Sequence, residues 1–215
     1  MYVKNWMSKK VVTVEESDTL SVAINTLKRN RIRRMPVMKD DKLVGIVSDR
    51  DLKEASPSKA TSLDIWELHY LMSNIKIKDI MTRNPFTVNP GSTIEKCAII
   101  MHDNKIGGLP VMVDEKLVGI ITEQDIFEAL INITGARKSG NRLLAVIPDV
   151  PGSIRELCDL MRKSSFKCVS ILTSTLGIEE GKRQTLVRFQ ADKEDLKNIV
   201  KDVTEKYKSA EFTFE

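Results

Sequence analysis

Residues 35–46 read Met35-Pro36-Val37-Met38-Lys39-Asp40-Asp41-Lys42-Leu43-Val44-Gly45-Ile46, and residues 109–120 read Leu109-Pro110-Val111-Met112-Val113-Asp114-Glu115-Lys116-Leu117-Val118-Gly119-Ile120. The second stretch is the first advanced by 74 positions. Working outward without a gap, residues 6–55 lie on residues 80–129 with 18 of the 50 pairs identical. The copies of such a repeat are expected to pack around a pseudo-twofold axis. That axis makes two related clefts at the seam, so paired binding sites are expected before any motif is considered.

Each copy reads as strand, helix, strand, strand, helix. In the first, Val11-Val12-Thr13-Val14 is a β-branched run that predicts a strand. Asp18 offers a helix N-cap, and Leu20, Ala23, Ile24 and Leu27 recur at helical spacing. In the second, Phe86-Thr87-Val88 is followed by Ile94, Cys97, Ala98 and Met101, with Ser92-Thr93-Ile94-Glu95 as a capping box. Two strands follow, joined by Asp40-Asp41 in one copy and Asp114-Glu115 in the other as turn chemistry. A second helix is predicted near Asp49 and near Glu123, where acidic residues suit the positive N-terminus.

Residues 56–79 join the copies. Ser56-Pro57-Ser58 breaks the chain, and residues 63–72 look helical, with His69 as a packed or surface residue. Residues 134–142 are polar, glycine-containing and aperiodic, which predicts a domain boundary. Beyond them the predicted order is strand 143–147, a helix marked by Ile154, Leu157, Cys158 and Met161, strands 167–176 and 183–190, helix 193–207 and strand 210–214. That βαββαβ order is ferredoxin-like.

Composition narrows the function classes. A chain of 215 residues with 41% hydrophobic and 30% charged residues fits a globular protein of one or two domains. No apolar run nears the roughly 20 residues needed to span a bilayer, and no basic-then-apolar leader opens the chain. A cytoplasmic protein without a membrane partner is expected. Cys97, Cys158 and Cys168 show no paired spacing and read as small buried hydrophobes; Cys97 falls opposite Ala23. A net charge of +4 is too weak to argue for a nucleic-acid partner. The two histidines, His69 and His102, lie far apart, so no metal site is expected. Neither a nucleophile–base pair nor a phosphate-binding P-loop is present in the sequence.

The strongest local signal occurs once per copy: Gly45-Ile46-Val47-Ser48-Asp49-Arg50-Asp51 and Gly119-Ile120-Ile121-Thr122-Glu123-Gln124-Asp125. A strand ends, a hydroxyl residue caps a helix, and an aspartate stands in its first turn. A carboxylate there can accept hydrogen bonds from both hydroxyls of a ribose, each contributing roughly 1.5–3 kcal/mol. Glycines 45 and 119 let another backbone or a ring approach closely. An acidic helix start occurs widely in proteins; two copies in register tip the balance toward a ligand site. The copies differ before the Pro-Val strand, with Arg33-Arg34 in the first and Gly107-Gly108 in the second. Arginine forks suit phosphate oxygens, so unequal clefts are expected, one favouring a phosphorylated ligand; a solvated basic face is the alternative.

On these residues, together with Asn30-x-Ile32 and Asn104-x-Ile106, the copies resemble CBS domains and the pair resembles a Bateman module. The resemblance implies an α/β (α+β) fold with domains at 1–74 (including the linker helix) and 75–133. It implies adenosine ligands, whether AMP, ADP, ATP or S-adenosylmethionine, and no required cofactor. Asp51 and Asp125 map onto the family's ribose-binding aspartate, and Ser48 and Thr122 onto its hydroxyl partner. Val12, Thr13, Phe86 and Thr87 map onto its adenine-facing strand, and Pro36 and Pro110 onto its Pro-Val strand. After a linker at 134–142, residues 143–215 resemble an ACT domain through Asp149-Val150-Pro151-Gly152. In that family an amino acid often binds at this turn, which implicates Asp149, Pro151 and Gly152. The combination, with the linker segment from Ser56 to His69, looks like the AcuB family, named for acetoin utilisation. These resemblances imply a homodimeric regulator of a partner whose identity stays open, not an enzyme. A structural interaction module with vestigial pockets and a nucleotide hydrolase using the aspartates are the alternatives.

Overall fold

The computed structural model describes residues 1–56 and 64–214, in two compact units, Met1–Phe127 and Glu128–Glu215. Most of the linker break and of the AcuB-like segment, including the His69 side chain, lies outside the described residues.

In the first unit the first copy runs β1 (Val14–Glu15), α1 (Leu20–Asn30), β2 (Arg34–Lys39), β3 (Lys42–Ser48) and α2 (Asp49–Glu54). After α3 (Ile65–Asn74) and β4 (Thr82–Arg83), the second copy continues with α4 (Ile94–Asp103), β5 (Gly108–Val113), β6 (Lys116–Thr122) and the start of α5 (Glu123–Thr134), whose residues from Glu128 onward belong to the second unit. The hairpins are matched: Pro36 pairs with Ile46 and Pro110 with Ile120, each with a register shift one residue past the Pro-Val pair. Both turns place two residues at positive φ, Asp40-Asp41 and Asp114-Glu115, as a two-residue hairpin turn requires.

The predicted early strand is shorter than expected. Only Val14 and Glu15 pair with β2, in parallel, and the second copy keeps the single bridge Val88↔Val111. Val11, Val12 and Thr13 stay unpaired, which leaves them available to line a cavity. The helix caps also sit one residue later than predicted. Thr19 and Thr93 cap α1 and α4, accepting from the Val22 and Lys96 amides at 3.4 and 3.2 Å. Asp18 instead accepts from the Glu15 amide at 2.8 Å, and Ser92 from the Asn89 amide at 3.3 Å.

Each copy is completed by the segment that precedes the other. Residues 75–83 return to the first copy: Ile75 carbonyl accepts from Leu20, Ile77 and Lys78 amides donate to Asp18 and Glu16 carbonyls, and β4 pairs with β3. Residues 1–8 do the same for the second copy: Val3 and Lys4 amides donate to Ser92 and Pro90 carbonyls, and Ser8 bridges Ile120. Ile77 thereby joins Leu20, Met35, Val37 and Leu52 in the core of the first copy, and Val3 is its fully buried counterpart. The glycines of the repeated motif serve this exchange. A Cβ on Gly45 would meet Met81 Sδ at 2.5 Å and Thr82 carbonyl at 3.0 Å; on Gly119, Met7 Sδ at 2.7 Å and Ser8 carbonyl at 3.2 Å. The close approach expected at these glycines is thus made by the exchanged segments.

The second unit contains β7 (Asn141–Pro148), α6 (Ser153–Arg162), β8 (Lys167–Ser174), β9 (Lys182–Gln190), α7 (Lys193–Lys206) and β10 (Glu211–Phe214). Its antiparallel sheet has the order β10-β7-β9-β8, the ferredoxin-like arrangement predicted. Leu143, Ile147, Leu157, Met161, Phe189 and Ile199 form its core. The polar segment read as a boundary is tied to this sheet, because Ser170 Oγ donates to Thr134 carbonyl at 2.8 Å and Gln190 Nε2 to Ser139 carbonyl at 3.0 Å.

Thr185 is fully buried in this core and its hydroxyl has no hydrogen-bond partner among the described residues. A desolvated, unpaired hydroxyl costs roughly 1–3 kcal/mol. Thr185→Val, which keeps the shape, is expected to raise the midpoint of thermal or urea unfolding. A lowered midpoint would show that the hydroxyl is bonded in solution.

Candidate functional site: two clefts between the repeats

The repeated motif folds the same way twice. Ser48 caps α2 and completes a capping box with Asp51. Asp51 Oδ2 accepts from the Ser48 amide at 2.7 Å and from its hydroxyl at 2.7 Å. Asp125 Oδ2 accepts from the Thr122 amide at 2.7 Å and hydroxyl at 2.8 Å. In both cases a single carboxylate oxygen takes these bonds. Those bonds fix the side chain and leave Oδ1 without a hydrogen-bond partner among the described residues, an acceptor that suits a donor group.

Two cavities in the first unit use these pairs crosswise. One, of about 340 Å³, places Thr122 and Asp125 of the second copy against Val12, Ile32, Arg33 and Arg34 of the first. The other, of about 680 Å³, places Ser48 and Asp51 of the first copy against Phe86, Ile106, Gly107 and Gly108 of the second. Position by position the linings match under the 74-residue shift: Val12 with Phe86, Ile32 with Ile106, Glu123 with Asp49. Both volumes lie in the range of small-molecule sites, and each sets a short apolar wall against a lining rich in charged and polar side chains.

Four predicted site residues lie outside these clefts. Pro36 and Pro110 are buried within their hairpins. Thr13 lines a separate shallow cavity with Lys9, Asp41 and Lys116, and Thr87 is exposed outside both linings. In extended chain neighbouring side chains point to opposite sides, so Val12 and Phe86 turning inward carries Thr13 and Thr87 outward. Several lining residues were missed, among them Lys10, Ile120 and Gln124 in the first cleft and Arg83 and Lys105 in the second. The shift of 74 relates Ile32 to Ile106, so the quoted Asn-x-Ile match was the signal that could have found this wall.

The arginines are placed differently from the expectation. Arg33 lines only the first cleft, whereas Arg34 lines both. The Arg34 guanidinium lies over the backbone of Gly107 and Gly108; a Cβ on Gly108 would meet Arg34 Cδ at 2.7 Å and Nη1 at 2.9 Å. Burial pushes its pKa down, opposed by the carboxylates of Glu123 and Asp49. The Arg34 Nη1 atom is buried without a hydrogen-bond partner among the described residues.

In the second unit Asp149, Pro151 and Gly152 come together around a cavity of about 490 Å³ with Arg155 and Arg183. Gly152 adopts φ 93° at the start of α6. The Asp149 carboxylate is already engaged by Arg183, whose Nε donates at 2.7 Å. Elsewhere, Cys97 is buried as expected, while Cys158 is half-buried and Cys168 exposed. Burial pushes the Cys97 and Cys158 thiols up, away from the reactive thiolate. Among the described residues no cluster of His, Cys, Asp and Glu could hold a metal, and no helix is long and apolar enough to cross a membrane.

Comparison with known proteins agrees with the duplication. The CBS pair of protein MJ0100, solved with 5′-methylthioadenosine and S-adenosyl-L-methionine, is 28% identical at TM-score 0.52, over 64% of this chain and 98% of that one. A Vibrio cholerae protein assigned to acetoin utilization (AcuB) is 30% identical at TM-score 0.53, over 64% and 95%. CBSX2, solved with AMP, is 29% identical at TM-score 0.51, over 61% and 97%. The CBS domain family itself matches residues 3–58 and 77–132, more than half of the chain. The chain belongs to the CBS-domain family and carries the domain as a tandem pair.

Proposed function

We propose that this protein is a regulatory sensor that holds an adenosine-containing ligand in each cleft. The observation that carries this reading is the crosswise assembly, in which one copy's hydroxyl–aspartate pair faces the other copy's early segment, twice. In each cleft the free Oδ1 of Asp125 or Asp51 receives the ribose hydroxyls. The base lies against Val12 in the first cleft and against Phe86, a residue 55% exposed, in the second. Arg33 and Arg34 face the phosphates. Relatives solved with S-adenosyl-L-methionine and AMP support the ligand class.

The second unit is proposed as an ACT-like partner domain on its βαββαβ order and its β10-β7-β9-β8 antiparallel sheet. An amino acid at Asp149, Pro151 and Gly152 requires its carboxylate to compete with Asp149 for Arg183. We read the chain as a cytoplasmic homodimer that tunes another protein, in acetoin utilisation or elsewhere, rather than as an enzyme. On this reading Asp51 and Asp125 are spent on capping and on ligand hydroxyls.

A ligand that binds only the folded state raises the unfolding midpoint, by about 2.7 kcal/mol at a hundred times its Kd. Thermal unfolding with AMP, ADP, ATP and S-adenosylmethionine is expected to show an upward shift with at least one of them and none with inosine. No shift with any adenosine compound up to millimolar concentration would sink the reading.

A further inference from the structure

We propose that Arg34 is one phosphate ligand shared by both clefts, so that a phosphorylated adenosine ligand in one weakens the binding of a second in the other. This rests on the reading of the clefts as adenosine sites. Perfect duplication would place two arginines at the seam, one from each copy. Here the second copy has Gly107 and Gly108 instead, and the Arg34 guanidinium occupies the space their side chains would need.

The same side chain therefore lines both cavities. It is flanked by Glu123 and Asp49, the matched first residues of α5 and α2. Its Nη1 is buried and unpartnered among the described residues, an arrangement that a phosphate oxygen would complete. A guanidinium offers one planar fork for bidentate contact. Once it has turned to a phosphate in one cleft, a second phosphate meets a neutralised cation together with the like charge of the first. Arg33 lines only the first cleft, so it sets intrinsic preference and not coupling.

The test is calorimetric titration of the full chain with AMP and with adenosine. Asp51→Asn and Asp125→Asn, each leaving one working cleft, supply the intrinsic constant of the other cleft. In the intact chain the second AMP is expected to bind about tenfold more weakly than the single-cleft constant for the same site, a typical size for coupling between sites. Adenosine, lacking phosphate, is expected to fill both clefts independently. Arg34→Gln is expected to close the gap for AMP while leaving adenosine binding in place, which also shows that the variant is folded; Arg34→Lys, which keeps the charge and loses the fork, is expected to close it in part. Equal and independent AMP sites in the intact chain, a gap that survives Arg34→Gln, or the same gap with adenosine would overturn the sharing while leaving the two-cleft reading intact. Absence of binding by both AMP and adenosine would overturn both.

Discussion

Replacing Asp125 by asparagine is expected to weaken adenosine-ligand binding in the first cleft about 10- to 100-fold, with the intrinsic affinity of the second cleft unchanged. The size follows from the chemistry. Hydrogen bonds to a charged acceptor contribute roughly 1.5–3 kcal/mol, and each 1.4 kcal/mol is tenfold in affinity. Asparagine keeps the shape of the side chain but removes the charge and presents a donor where a ribose hydroxyl seeks an acceptor. Asp51→Asn is expected to do the same in the second cleft, since its bonds to Ser48 match those of Asp125 to Thr122 within 0.1 Å. Calorimetry on each single variant checks this. Equal loss in both clefts from one substitution would show that each aspartate does not belong to a single site.

The second large effect concerns stability. Ile77 precedes the second copy in sequence, yet it is fully buried in the core of the first. Ile77→Ala is expected to destabilise the chain by about 2–5 kcal/mol, the usual range for truncating a buried aliphatic side chain. Ile99 lies on α4 and is 61% exposed, so Ile99→Ala is expected to change stability by less than about 0.5 kcal/mol. Urea unfolding of both variants separates the cases. An Ile77→Ala effect no larger than that of Ile99→Ala would mean that residues 75–83 do not pack back onto the first copy.

These two predictions also mark what could be read from the chain and what could not. Asp51 and Asp125 stand out as candidates in the sequence because duplication filters chance: a capped acidic helix start is common, but one repeated in register after matched strands is not. The second unit was legible because its helices and strands alternate with clear periodicity, and each β-strand boundary fell within about two residues. The exchange of residues 1–8 and 75–83 was missed. Its trace was present in the identical pair Met7 and Met81 and in the small residue each one covers, Gly119 and Gly45. Periodicity reports which face of an element is apolar, not which copy supplies its cover. The cap shift has a similar cause. Asp18 and Ser92 are good capping residues, but the identical pair Thr19 and Thr93 takes the role, and Asp18 serves the turn after β1 instead. Arg34 was read as belonging to one cleft because sequence order places it in one copy. Only the fold shows that the missing side chains of Gly107 and Gly108 let it reach both.

The most direct test of the central claim is calorimetric titration of the intact chain with AMP beside the double variant Asp51→Asn/Asp125→Asn. The account predicts saturable binding of two AMP per chain, reduced at least tenfold in both clefts by the double substitution, with the variant still folded. Binding that the double substitution leaves unchanged, or no binding of any adenosine compound at millimolar concentration, would contradict it.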